Sequence, residues 1–140
     1  MSNKIYVTRH QSREEAFILL YEKCFSDSPI EEIIENALLS RDFTVSEFAR
    51  TLINGVDENK ENIDRIIEDN LTGWKKSRVS KVALTLMRIS VFEMLNLDSV
   101  PVNVSINEAI ELAKVYSTDK DSSFINGVLG AVAKTFNKDE

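Results

Sequence analysis

The chain has 140 residues, 43% of them apolar and 29% charged, with a formal net charge of −6. This length suits one domain or two very small ones, and it can bury a core without help from metals or disulfides. One cysteine (Cys24), one histidine (His10), four Gly and two Pro exclude a disulfide framework, a Cys-rich or multi-His metal centre, and the many turns of an all-β fold.

In chain order, a first helix is predicted to begin near Thr8, with Gln11 three residues on, and to bury Ala16, Phe17, Leu20, Tyr21 and Cys24. Ser28-Pro29-Ile30-Glu31 joins an N-cap serine to proline at the first helical position and glutamate at the third. Behind it Ile30, Ile33, Ile34, Ala37 and Leu38 repeat on one helical face. Thr44-Val45-Ser46-Glu47 is a second capping box, followed by Val45, Phe48, Ala49, Leu52, Ile53 and Val56 on the same period. Residues 57–71 are charged but keep Ile63, Ile66, Ile67 and Leu71, which predicts a further helical segment. Residues 78–95 carry a broad apolar stripe, and Leu97-Asp98-Ser99-Val100-Pro101 ends it, because the residue before proline avoids the α region. Ser105-Ile106-Asn107-Glu108 is a third capping box. The last helix, about 123–136, is apolar almost all round, which predicts a place inside a bundle. Nothing alternates with a strand period, so the class is all-α.

Leu52-Ile53-Asn54-Gly55-Val56 recurs as Phe124-Ile125-Asn126-Gly127-Val128. A glycine inside a helix is unfavourable by about 1 kcal/mol against alanine, so the echo predicts two close helix crossings, or two similar three-helix halves. Apolar runs are too short to cross a membrane. The first residues lack the apolar segment of a secretory leader, which predicts a reducing, cytoplasmic compartment.

The net charge conceals a segregation. Residues 1–13 and 71–92 contain no acid and together carry +8, while the remaining 105 residues carry −14. Such a chain repels polyanions in general and can admit one at a chosen place; the alternative is that these basic windows pair with acidic helices of the same molecule. Enzyme chemistry finds no foothold. His10 and Cys24 lie about 21 Å apart along a helix, too far for a Cys–His pair, and Cys24 reads as a buried thiol on an apolar face. There is no Gly-rich phosphate loop and no nucleophile elbow. The acidic groups Glu31/Glu32/Glu35 and Asp57/Glu58/Glu61 read as solvated faces. Arg9 and Arg13, at i and i+4 beside His10 and following Lys4, form a short basic segment of the type that binds RNA phosphates and bases.

Across residues 9–132 the chain resembles the NusB family of bacterial transcription antitermination factors. The resemblance is carried by Arg9-His10-Gln11-Ser12-Arg13-Glu14 with Ala16 and Leu20-Tyr21, by Leu52-Ile53-Asn54-Gly55-Val56 and Trp74, and by the segment from Leu86 to Leu95. Its most specific parts are Val100-Pro101, Val104-Ser105-Ile106-Asn107-Glu108-Ala109-Ile110-Glu111-Leu112-Ala113-Lys114 and Phe124-Ile125-Asn126-Gly127-Val128-Leu129. The resemblance implies a single all-α domain of two three-helix halves, about 9–72 and 73–136, behind a flexible basic lead over 1–8. It implies no enzymatic activity, cofactor or metal. It also implies binding of boxA RNA as a heterodimer with NusE, a ribosomal small-subunit protein, in complexes with NusA, NusG and RNA polymerase that support ribosomal RNA transcription.

By the same resemblance, RNA contacts fall on Lys4, Arg9, His10, Arg13, Arg88, Lys120 and Phe124, and the NusE side on Tyr21. The chain departs from the family where Gln11 and Ser12 interrupt the arginine run, and where Lys120 replaces an acid common in other members. Each residue also has a plainer role open to it. Phe124 and Tyr21 can be packing residues, and Arg88 can cap an internal carboxylate such as Glu93 or Glu108. Trp74 reads as an anchor between the halves, with no functional role. A NusB-like RNA-binding or protein–protein adaptor module without boxA specificity is the alternative function.

Overall fold

The structure, a computed structural model, describes residues 7–40 and 43–136. Among these there are seven α-helices and no strand: α1 (Arg9–Lys23), α2 (Ile30–Ser40), α3 (Glu47–Glu58), α4 (Lys60–Asp69), α5 (Lys81–Asn96), α6 (Val102–Tyr116) and α7 (Asp119–Thr135), with a 3₁₀ turn at Lys76–Arg78. No helix among the described residues is long and apolar enough to cross a membrane. Lys4 and the lead over 1–6 lie outside the described residues.

The helix starts show which caps are local and which are tertiary. Thr8 and Gln11 form the expected reciprocal box, at 3.0 Å from the Gln11 N–H to Thr8 Oγ1 and 2.9 Å from the Thr8 N–H to Gln11 Oε1. Helix α2 begins one residue later than expected, because the Pro29 carbonyl accepts from the Glu32 and Ile33 amides at 3.0 and 3.3 Å. The α3 cap moves from Thr44 to Ser46, whose hydroxyl accepts from the Ala49 amide. The carboxylate that completes this cap is Glu15 of α1, not Glu47: Ser46 N–H and Thr44 Oγ1 both donate to it at 2.8 Å. Helix α6 starts at Val102, ahead of the expected box, with Pro101 as its cap residue. Ser105 is buried one turn in, where its hydroxyl bonds that of Ser90 on α5 at 2.8 Å. Helix α7 likewise starts early, at Asp119, capped by Thr118.

Helix α5 occupies the centre. Every residue from Ala83 to Met94 is buried, and α5 packs against α1, α3, α4, α6 and α7. The expectation that the last helix, apolar almost all round, lies inside the bundle is therefore corrected. Helix α7 buries Ser122, Ile125, Val128, Leu129, Val132 and Ala133 but leaves Asn126 and Gly127 exposed. Its apparent all-round apolarity came from small residues that have nothing to bury.

The two Asn-Gly-Val segments differ in the same way. A methyl group at Gly55 would sit 2.2 Å from the Phe92 ring, so this glycine permits a close α3–α5 crossing. At Gly127 a methyl group would meet nothing within 4 Å, which removes one of the two expected crossings. Gly55→Ala should therefore lower stability by about 1–3 kcal/mol through overpacking. Gly127→Ala should raise it by about 0.4–1 kcal/mol through a less flexible unfolded chain. Urea unfolding of both variants beside the parent checks the opposite signs.

Candidate nucleic-acid interface

At the start of α1 the two arginines part company. Arg9 is exposed, with its guanidinium 4.1 Å from the Phe48 ring centroid. Arg13 is only 4% exposed. It donates from Nε and Nη2 to the two carboxylate oxygens of Glu93 at 2.8 and 3.1 Å. Glu108 extends the group: its Oε1 lies 3.8 Å from Arg13 Nη1 and shares a 2.7 Å hydrogen bond with His10 Nδ1. Four residues of helix place both arginines over Phe48, yet one points outward and the other closes the contact of α1 with α5 and α6.

Arg88 is turned inward in the same manner and is 8% exposed. It forms a bidentate pair with Asp64 of α4, at 2.7 Å from Nε and 2.9 Å from Nη2. The partner is thus Asp64, not Glu93 or Glu108. Lys76 adds a contact to the same carboxylate at 3.2 Å and reaches Glu68 at 3.3 Å. Burial alone would push the Asp64 carboxyl up. The hydrogen bonds and charges of Arg88 and then Lys76 outweigh burial and hold it below the usual 3.8. Cys24 is half-buried beside this pair, with Sγ 3.5 Å from Thr85 Oγ1 and 3.9 Å from Arg88 Nη1, rather than sealed in the core.

A second corner forms where α5 and α7 begin. Ser80, the N-cap of α5, donates its hydroxyl to Asp121 Oδ2 at 2.8 Å, and Ser117 donates to the same oxygen. This staple places Phe124 of α7, half-buried, against Trp74 of the preceding loop, ring centroids 5.3 Å apart and planes at 63°. Trp74, Arg78, Ser80, Lys120, Asp121 and Phe124 border a cavity of about 250 Å³. Lys75, Arg78, Lys81 and Lys120 are exposed, and none is paired with a carboxylate among the described residues. Trp74 is the residue that sequence reasoning passed over. It is 48% exposed, which does not suit an anchor between halves. The available signal was its position inside an acid-free basic window.

Tyr21 belongs to a third surface. Its ring lies 5.6 Å from Phe17 and 5.1 Å from Phe25, and Phe17 in turn meets Tyr116 at 4.9 Å. The row ends in exposed Phe25, and Val115, next to Tyr116 in sequence, is also exposed. Tyr116 donates to Glu14 at 2.6 Å; burial, followed by this hydrogen bond and the Glu14 charge, pushes its hydroxyl up to about 12. Among the described residues no cluster of His, Cys, Asp and Glu is placed to hold a metal ion.

The inward and outward arginines should separate in a stability measurement. Arg13→Ala leaves the buried Glu93 carboxyl group without its main partner and should destabilise the fold by about 3–5 kcal/mol. Arg9→Ala removes an exposed group and should stay within about 0.5 kcal/mol of the parent. Chemical denaturation of both variants at neutral pH checks the difference.

The geometry is matched by known proteins. The family model described as the NusB family covers residues 10–134. The transcription antitermination protein NusB of Clostridium novyi (strain NT) is 42% identical over 132 residues, covering 91% of this chain and 99% of that protein. The crystal form of Thermotoga maritima NusB described as P3121, form 2, superposes with a TM-score of 0.83 at 35% identity, over 93% of both chains. A structure described as antitermination factors NusB and NusE in complex with dsRNA superposes with a TM-score of 0.80 at 26% identity, over 92% of this chain and 99% of that one. With seven helices among the described residues, the buried α5 at their centre, and a family match along almost its whole length, this chain belongs to the NusB family.

Proposed function

We propose that this chain is a non-enzymatic transcription antitermination factor that binds boxA RNA as a heterodimer with NusE. In that role it acts alongside NusA, NusG and RNA polymerase in the cytoplasm to support ribosomal RNA transcription. The observation that carries the reading is the pairing of exposed, unneutralised cations with an accessible aromatic corner on an otherwise acidic protein. Cations supply the phosphate contacts and their salt dependence. Aromatic rings supply stacking for unpaired bases. The family and the neighbour seen with NusE and RNA support it further.

Among the residues expected to touch RNA, Arg9, Lys120 and Phe124 are the direct contacts in this reading. Arg13, Arg88 and His10 act behind them: they hold α1, α4 and α6 on α5 and so fix where the exposed groups stand. Arg13, one turn along α1 from Arg9, meets Glu93 near the end of α5, and the Phe124 corner lies beside Ser80 at its start. Along α5, Ser80 and Glu93 are about 20 Å apart, so the two corners belong to opposite ends of that helix. The aromatic row through Tyr21 is the NusE side.

Arg9→Ala should weaken RNA binding and flatten the salt dependence by about 0.7, one phosphate contact on a single strand. Phe124→Ala should weaken RNA binding by about 1–3 kcal/mol. Titrations of labelled boxA RNA at several salt concentrations, beside a scrambled RNA and with unfolding curves as controls, read both. Equal affinity for the two RNAs would favour an RNA-binding module without boxA specificity, and no binding of either would favour the protein–protein adaptor.

NusE should raise the affinity for RNA by about 5–150-fold, and by linkage RNA should raise the affinity for NusE equally. Tyr21→Asp should then weaken RNA binding only when NusE is present, because it damages the partner surface and leaves the RNA contacts intact. RNA titrations of parent and variant, with and without saturating NusE, give the four affinities needed. A defect of the same size in both conditions would contradict this assignment of Tyr21.

A further inference from the structure

Trp74 poses a physical question that packing does not answer. An indole is among the largest apolar groups a chain can bury, yet this one stays half exposed in a loop. The loop fixes it nonetheless. Gly73 has φ of +77°, a left-handed turn that glycine adopts without strain. Trp74 N–H is held by the Leu71 carbonyl, and the indole rests edge-to-face on Phe124. Cavities open on both sides of it. One, of about 250 Å³, is shared with Phe124, Arg78 and Lys120; the other, of about 560 Å³, is bordered by Gly73, Lys75, Ser77 and Arg78. Arg78 borders both. Lys76, between these cations in sequence, is turned inward to Asp64 and Glu68, so the loop sorts its charges into one that holds the fold and two that face the cavities.

We propose that Trp74, Lys75 and Arg78 form a second nucleotide position beside Phe124, in which an unpaired RNA base stacks on the indole and its flanking phosphates pair with Arg78 and Lys75. This rests on the RNA-binding reading above and adds a base-stacking residue to it. The two rings meet at 63°, so they make a corner in which one base lies on Trp74 and the next turns onto Phe124. A cavity of about 250 Å³ is below the usual size of a small-molecule pocket and suits one planar ring system. The lining is cationic and aromatic, the composition of single-strand binding surfaces. Its one carboxylate, Asp121, is held by two serine hydroxyls.

Trp74 is the only tryptophan in the chain, so its emission reports on this position directly. The test titrates the full chain, alone and with NusE, with a dye-labelled boxA RNA and with copies of that RNA made abasic at one position at a time. Fluorescence anisotropy reads affinity throughout, and tryptophan emission is read for the chain alone. The expected result is quenching of Trp74 by intact RNA, together with a loss of affinity of roughly ten- to a hundredfold in Trp74→Ala and a much smaller loss in Trp74→Phe. One abasic RNA should lose both the quenching and the affinity with the parent protein, and should lose nothing further with Trp74→Ala, since base and indole then act as one interaction. If Trp74→Ala unfolds, Trp74→Phe and the abasic series decide alone. Normal RNA affinity with unchanged emission, and no abasic position coupled to residue 74, overturns the proposal and leaves the RNA-binding reading standing. No RNA binding by the parent with or without NusE overturns both.

Discussion

A helix buried along twelve consecutive residues cannot carry charge unless other elements answer it. Helix α5 carries two charges into that environment, Arg88 and Glu93. An unpaired ion there would be unfavourable by several kcal/mol, so each must be met by a partner of opposite sign. Asp64 meets Arg88 from α4, and Arg13 meets Glu93 from α1. The two pairs lie about a turn and a half apart on α5 and come from different helices. Together they set the rotation of α5 and the positions of the helices that flank it. Hydrophobic burial drives the bundle together, but it is non-directional; bidentate pairs fix which faces meet.

The rest of the surface follows from that arrangement. With Arg13 drawn inward, Arg9 one turn earlier is left outside against Phe48. With Lys76 drawn to Asp64, its neighbours Lys75 and Arg78 face the cavities beside Trp74. The buried pair at Asp64 is also sensitive to acid. Because that carboxyl is held below its ordinary value, its contribution to stability is complete above about pH 4 and is lost as pH falls through the lowered value.

Much of the fold was legible because helical periodicity and caps are local. The apolar stripes of α2, α3 and α4, the Thr8 box and the Val100-Pro101 break each lie within a few residues of what they specify. What escaped was long-range. Ser46 caps α3 because Glu15, thirty-one residues earlier, is there to accept from it. Ser105 looked like a cap and serves instead as a buried bridge to Ser90. Counting apolar residues placed α7 inside the bundle, because small residues score as apolar whether or not anything covers them. At the candidate nucleic-acid corner, the basic windows and Phe124 stood out in sequence. Which cations face outward did not, since an arginine paired with a carboxylate eighty residues away is written with the same letter as a free one.

The segregation of charge also changes what the net value means. A formal charge of −6 suggests a protein that avoids polyanions. Yet the Debye length at physiological salt is about 8 Å, so a phosphate docked against Lys75, Arg78 and Lys120 is largely screened from exposed acids on remote helices. Close to the surface the local cations dominate; farther away the acidic body does. On the proposed reading, weak, indiscriminate association with nucleic acid is thereby reduced, while a strand seated on the aromatic corner keeps its phosphate contacts. The burial of Arg13 and Arg88 sharpens this contrast. It neutralises two cations that would otherwise add sequence-independent attraction, and it leaves basic side chains exposed beside the rings where a base can stack.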